Sequence, residues 1–389
     1  MSAQRAGHRC HSLIMLLAVV LAGASPADEL SELGRQLFFD ADLSANRNQS
    51  CSSCHNPANA FSDQRDNGVG AAASLGSDGR SLGTRNAPAI TYAALIPAFG
   101  LDDTGAYAGG LFHDGRAADL AGQAAEPFIN PLEMGLPDAA AVVRRVLEKP
   151  QYATALSAHF GPAVLDASET TFRAITEAIA AYERTPEFIA FDSRYDRYLR
   201  GEYRLTRDEE IGRMLFFSQV INCHSCHLAD AREDRPREPF TNFRFHNIGV
   251  PPNERLIRAS GTSPGWRDAG LLDNPAVAEE SAAGKFRVPT LRNVAVTGPY
   301  MHNGVFQDLE TAIRFYNRYT LTDRWSQTNP ETGERWHEPE VPGTIDNALL
   351  QAGQPMSEMQ VRAIVAFLRA LTDQRYEHLV YDEIGTSAR

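Results

Sequence analysis

Cys51-Ser52-Ser53-Cys54-His55 and Cys223-His224-Ser225-Cys226-His227 are two copies of one pattern, C-x-x-C-H. The pattern is the attachment signature of a c-type haem. Two thiols one helical turn apart add to the two vinyl groups of one porphyrin. The histidine that follows is then held under the iron as its proximal ligand. The competing readings are a zinc site, a thioredoxin-like redox pair and plain disulfides. A four-cysteine zinc site does not need a histidine directly after both pairs. A redox pair needs none there either and occurs once per domain. Two covalent haem c groups are therefore expected, bound by Cys51, Cys54 and His55 and by Cys223, Cys226 and His227.

Each motif is preceded by a similar stretch. Glu32-Leu33-Gly34-Arg35-Gln36-Leu37-Phe38-Phe39 leads into the first, and Glu210-Ile211-Gly212-Arg213-Met214-Leu215-Phe216-Phe217 into the second. Both read as the end of an amphipathic helix feeding a loop into the cysteines. An internal repeat of this kind implies one haem domain built twice. The chain, 389 residues long, has room for both. Of its 5 cysteines, Cys10 lies in the leader and the other four belong to the motifs, so no thiol remains for a disulfide. The haems, large apolar bodies, take the place of cross-links.

Residues 1–27 read as a signal peptide. Arg5 and Arg9 supply a positive start, Leu13 to Ala22 is an unbroken apolar run, and Ala22-Gly23-Ala24 or Ser25-Pro26-Ala27 fits a cleavage site. The apolar run is too short to span a bilayer of about 30 Å. Export agrees with haem attachment, which takes place outside the cytoplasm, and the expected location is the periplasm. No stable membrane span is expected. The formal net charge is −12, nearer −14 once the leader's two arginines are removed. Nucleic acid is thereby excluded as a natural partner.

Residues 56–110, rich in Gly, Ala, Ser and Asp, read as loop wrapped round a cofactor. Apolar spacing predicts helices over 138–149, 151–160 and 168–184, the last stopped by Pro186. Further helices are expected over 188–199 and 309–319, with a Ser357-capped closing helix over 357–373. No convincing run of paired strands is present. The domain boundary falls near Pro186, before Phe188: 28–186 form an N-terminal and 187–389 a C-terminal haem domain. The fold class is mainly α, two cytochrome-c-like haem domains with long loops.

By their order along the chain, several segments resemble the bacterial diheme cytochrome c peroxidase / MauG family. They are Thr84-Arg85-Asn86-Ala87-Pro88, Phe112-His113-Asp114-Gly115-Arg116-Ala117, Phe245-His246-Asn247-Ile248-Gly249, Pro289-Thr290-Leu291-Arg292-Asn293 and Gly298-Pro299-Tyr300-Met301-His302-Asn303-Gly304. The resemblance implies a peroxidatic haem in the N-terminal domain and an electron-transfer haem in the C-terminal one. It also implies a calcium ion between them, held by the Asn86 side chain and the Thr297 and Pro299 carbonyls, with waters completing its oxygen shell.

A haem that only passes electrons keeps two protein ligands, whereas one that cleaves peroxide needs an open face. In many family members a histidine after the first motif closes that face until reduction. Here residues 56–112 contain no His, Met or Lys, so the first haem is expected to have His55 on one side and water on the other. Gln123 and Glu133 fall where the family has its distal pair. A carboxylate there can carry a proton between the peroxide oxygens, and an amide can orient the peroxide.

At the second haem, Tyr316 stands where cytochrome-oxidising relatives have methionine. A hard phenolate donor favours oxidised iron and lowers its potential. Met301 and His302 are rival ligands nearby. One departure concerns the family's tryptophan between the haems: His113 occupies that position and is a poorer hopping station. It could mediate tunnelling, bind a propionate or swing onto an iron. His224, His246 and His337 read as structural or surface residues.

Together these features lead to an oxidoreductase that uses hydrogen peroxide. Its electrons would come from a small redox protein, a cytochrome c or cupredoxin, or from an oxidised protein substrate. The alternative is a non-catalytic diheme electron-transfer cytochrome.

Overall fold

The computed structural model describes residues 25–228 and 238–380. Residues 1–24 of the expected leader and residues 230–237 of the charged loop lie outside them. The first half carries helices α1 (Pro26–Phe39), α2 (Cys51–Cys54), α3 (Leu120–Ile129), α4 (Ala139–Leu147), α5 (Pro150–Phe160) and α6 (Ser168–Glu183). The second carries α7 (Arg194–Leu199), α8 (Arg207–Phe216), α9 (Glu254–Ala259), α10 (Leu309–Phe315), α11 (Asn347–Leu350) and α12 (Glu358–Arg369). Two antiparallel pairs of two-residue strands complete the regular structure among the described residues: β1 (Gly100–Leu101) with β2 (Tyr107–Ala108), and β3 (Phe245–His246) with β4 (Phe286–Arg287). No described helix is long and apolar enough to cross a membrane.

The repeated stretch has one structural meaning in both halves. Helix α1 opens on a Ser25–Asp28 capping box with Pro26 in its first turn, and buries Leu33, Gly34, Leu37 and Phe38. That face crosses α6. A Cβ on Gly34 would collide with the Ala178 carbonyl of α6. Helix α8 opens on a Thr206–Glu209 capping box and crosses α12, where a Cβ on Gly212 would collide with the Ala363 carbonyl. In each half, therefore, a glycine lets two helix backbones touch. An aromatic residue four positions on then fills the space beside the crossing. Phe38 packs edge-on against Tyr182 at 5.3 Å, and Phe216 packs against Phe367 at 5.3 Å.

The helices expected over 138–149, 151–160 and 168–184 are α4, α5 and α6. The closing helix is α12, capped by Ser357 in a box with Gln360. Two elements differ from expectation. Helix α7 starts at Arg194 rather than Phe188, because Ser193 and Asp196 form its capping box. The helix expected to reach Tyr319 is α-helical only to Phe315 and tightens into a 3₁₀ turn over Tyr316–Tyr319.

One buried apolar cluster runs from Leu33 to Phe188 and a second from Tyr195 to Leu371. The ring of Phe188 belongs to the first, 4.2 Å from Phe61. The two halves are tied by buried polar bonds. Arg85 bonds Asp114 at 2.5 Å on its own side and Asp268 at 2.6 Å on the other. Tyr92 donates its hydroxyl to Asp373, which also accepts from Asn293 at 2.8 Å.

Candidate haem sites and the seam between them

At the first motif, α2 is a single helical turn. His55 N–H donates to the Cys51 carbonyl at 2.9 Å, which brings the histidine back over the two thiols. The second motif does the same in a 3₁₀ turn, with His227 N–H bonded to the Cys223 carbonyl at 3.1 Å. Each imidazole is then oriented from behind. His55 Nδ1 donates to the Phe61 carbonyl at 3.2 Å, and His227 Nδ1 to the Phe240 carbonyl at 3.0 Å. Both phenylalanines are fully buried and adopt left-handed φ, 56° and 54°, which turns the carbonyl inward. This arrangement leaves the Nε2 lone pair for a metal. Burial holds both imidazoles neutral: it lowers His55, and lowers His227 to about 4. The two carbonyls were not foreseen. The parallel Phe61-Ser62 and Phe240-Thr241 pairs after each motif were their trace in the sequence.

The four thiols are unpaired, and each keeps some accessible surface although deep in the fold. At Cys223 and Cys226 such surface faces an internal void. At the second site that void is a cavity of about 350 Å³ lined by Cys223, Cys226, His227, Met301 and Tyr316. Burial raises the Cys223 thiol to about 12, and raises Cys51 and Cys54 as well. The neutral Cys223 thiol, the neutral His227 imidazole and this cavity fit a covalently held haem at the second motif, and the first motif repeats the same turn and the same bracket behind its histidine.

Tyr316 faces the Cys223 and Cys226 thiols across this cavity. Burial and those thiols raise its phenol. Of its rivals, His302 is bonded to Glu340 at 3.0 Å and stacked on Phe286 at 3.6 Å, while Met301 lines the cavity with φ 74°. His246 is bonded to Asp346 at 2.8 Å. Burial opposes its charge, but Asp346 and the Cys226 thiol outweigh that and raise it to about 9.

In the first half, Asp119 caps α3 by accepting from Gly122 N–H at 2.8 Å, and Gln123 follows on that helix. Glu133 lies in the turn after α3, with its carboxyl raised by burial; Arg116 opposes the shift and Glu126 adds to it. It is close enough to Cys54 for its charge to raise that thiol. Arg116 is bonded to Asp114 and Glu126 at 2.9 Å and lies 3.6 Å over the Phe112 ring, which joins the Phe112–Ala117 segment to α3. No hydrogen bond joins Gln123 to Glu133 among the described residues.

His113 lies at the seam. Its Nε2 bonds the Asn86 carbonyl at 2.9 Å, and its own carbonyl accepts from Arg287 N–H at 2.9 Å. Burial lowers it to about 4, helped by Arg85, His302 and Arg287. The ring is thus neutral, with Nε2 as donor to a carbonyl. Asn86, Thr297 and Pro299 line the same cavity, and Asn86 Nδ2 donates to the Pro299 carbonyl at 3.2 Å. Among the described residues no cluster of three or more acidic, His or Cys side chains is placed to hold a metal. A cation at the seam would rely on amide and carbonyl oxygens.

Two haem-binding motifs on two helix crossings define a class of protein, and the comparisons agree. The di-haem cytochrome c peroxidase family matches residues 28–204. The methylamine utilization protein MauG of Paracoccus denitrificans is 51% identical over 92% of this chain and 92% of its own. The cytochrome c551 peroxidase of Nitrosomonas europaea is 30% identical over 77% of this chain and 76% of its own. The crystal structure of the diheme peroxidase BthA from Burkholderia thailandensis superposes with a TM-score of 0.77 at 34% identity, covering 92% of this chain and 90% of that one. The chain belongs to the di-haem cytochrome c peroxidase and MauG family, and is a peroxidase-type oxidoreductase with haem c cofactors.

Proposed function

We propose that this chain is a periplasmic peroxidase that reduces hydrogen peroxide in its N-terminal domain, 28–186. Electrons would be drawn from an external protein through the C-terminal domain, 187–389. Bound haem supplies the redox-active iron at each motif. The observation that carries the reading is Glu133, a half-buried side chain whose carboxyl is raised by desolvation and whose charge reaches Cys54. Cleaving peroxide moves a proton from one oxygen to the other. A carboxyl whose pKa is raised by burial can accept that proton and return it to the leaving oxygen. Gln123, on the neighbouring helix, would orient the peroxide. Two electrons and two protons then turn each peroxide into two waters.

The experiment is stopped-flow mixing of the fully oxidised protein with peroxide. Wild type should react at once, and Glu133→Gln about 10²-fold more slowly. An unchanged rate in the variant would remove Glu133 from the mechanism. A need for prior reduction would mean that the site is closed by a ligand, with His113 the first to test.

For the electron source, Tyr316 at the second cavity supports a partner whose own residues are oxidised, rather than a cytochrome c or cupredoxin donor. A phenolate ligand suits a low-potential centre. The 51% identity to MauG points the same way. A calcium ion at Asn86, Thr297 and Pro299 is part of the proposal, supported by the closeness of Asn86 to the Pro299 carbonyl. Binding would require the Asn86 amide to turn its oxygen inward. Export is proposed with cleavage after Ala24, since the Ser25 cap of α1 then survives.

A further inference from the structure

Beside the neutral His227 and the seam histidines, three side chains able to carry positive charge line the second cavity: His246, Arg292 and Arg287. Two of them are paired. His246 bonds Asp346, and Arg292 makes a two-pronged pair with Asp196 at 2.9 and 3.0 Å. Arg287, on β4, differs. It has no ion-pair partner among the described residues, its Nε is buried with no hydrogen bond, and its one side-chain hydrogen bond among them is a 3.5 Å reach to the Phe112 carbonyl. The nearest acid, Asp114, is already held by Arg85 and Arg116. Burial lowers the Arg287 guanidinium to about 10, with Asp114 offsetting little. An unpaired buried guanidinium costs several kcal/mol and persists where an anion completes it.

We propose that Arg287 binds a propionate carboxylate of the second haem. The anion is supplied by the haem itself, whose two propionates must leave the apolar part of the cavity at some edge. A planar guanidinium with free N–H groups matches a carboxylate in two-pronged geometry. Arg287 also fixes which edge that is. Its backbone N–H holds the His113 carbonyl, so a propionate bound by its side chain would lie on the seam side of the cavity. The inference rests on haem attachment at Cys223 and Cys226 and deepens the reading of that site. Arg287 acts as a positioning and charge-compensating residue.

The test uses the purified diheme protein and reads redox potential rather than turnover. Arg287→Gln removes a positive charge near the second iron. It should lower the reduced-to-oxidised ratio of that haem roughly tenfold at fixed potential, a shift of about 59 mV, and leave the first haem unmoved. Arg287→Lys, which keeps the charge, should stay near wild type. Two covalent haems with an unmoved second potential in Arg287→Gln would overturn the proposal while leaving the haem assignment intact. Absence of the second covalent haem from wild type would instead overturn the reading beneath it. Should Arg287→Gln fail to fold, a crystal structure of the wild-type holoprotein decides: a propionate bonded to Arg287 upholds the proposal, and propionates directed elsewhere overturn it.

Discussion

The Tyr92 hydroxyl donates to the Asp373 carboxylate at 2.5 Å, joining a buried residue of the first half to the segment that follows the closing helix of the second. Asp373 is buried with Arg292 nearby, yet burial outweighs both its hydrogen bonds and that cation. Its carboxyl is raised from 3.8 to about 6. Such a group favours the folded state while protonated. Its contribution is complete below pH 3.8 and is lost as pH rises through about 6. Asp373→Asn does not titrate. The denaturation midpoint of wild type should therefore fall relative to that of Asp373→Asn between about pH 4 and 6. A difference independent of pH across this range would show that Asp373 is not raised.

Replacing Gly34 or Gly212 by alanine reverses the usual helix rule. Alanine in a helix interior is ordinarily better than glycine by about 1 kcal/mol. Here the added methyl meets a carbonyl of the crossing helix, so each change should cost about 1–3 kcal/mol net. Gly34→Ala should loosen α1 against α6, and Gly212→Ala should loosen α8 against α12. Urea unfolding followed at each haem's absorption band distinguishes the halves. Stabilisation by either alanine would contradict the close crossings.

Cys51→Ala with Cys54→Ala should leave one covalent haem, and removal of all four motif thiols should leave none. Cys10 is the remaining cysteine and lies within the proposed leader. Haem staining after denaturing electrophoresis reads the outcome directly. Stain persisting in the fourfold variant would place the attachment elsewhere.

Tyr316→Met should raise the potential of the second haem, since a neutral thioether replaces a hard oxygen donor. Peroxide reaction at the first haem should be largely unchanged, and turnover with a high-potential cytochrome donor should improve. Redox titration of both proteins, with donor-linked turnover beside it, tests this. A wild-type second haem already at high potential would exclude Tyr316 as ligand and make Met301, on the same cavity, the next residue to change.

Features caused by neighbours in sequence were legible before any coordinates. The two C-x-x-C-H turns, the repeated helix before each and the Ser357 cap all act within a few residues. Helix α3 was less visible because Pro127 interrupts its interior. The late start of α7 depended on reading Ser193 and Asp196 as one cap. Long-range partners were not legible. Arg287 looks like any strand arginine until its lack of a carboxylate is seen, and nothing near Tyr92 announces Asp373. The glycines of the repeat could be seen to recur, but the carbonyls that make them necessary lie on helices far along the chain.

The Phe61 and Phe240 carbonyls grip the two proximal imidazoles in one way, at 3.2 and 3.0 Å. The bracket behind each imidazole is therefore shared by the two halves, and this shared bond would not by itself assign different tasks to the two centres. On the proposed reading their division of labour would come from the residues opposite the proximal histidines: Glu133 and Gln123 at one site, Tyr316 at the other. Exchanging those upper residues between the halves, with both lower brackets left intact, is the shortest route to swapping the tasks of the two haems.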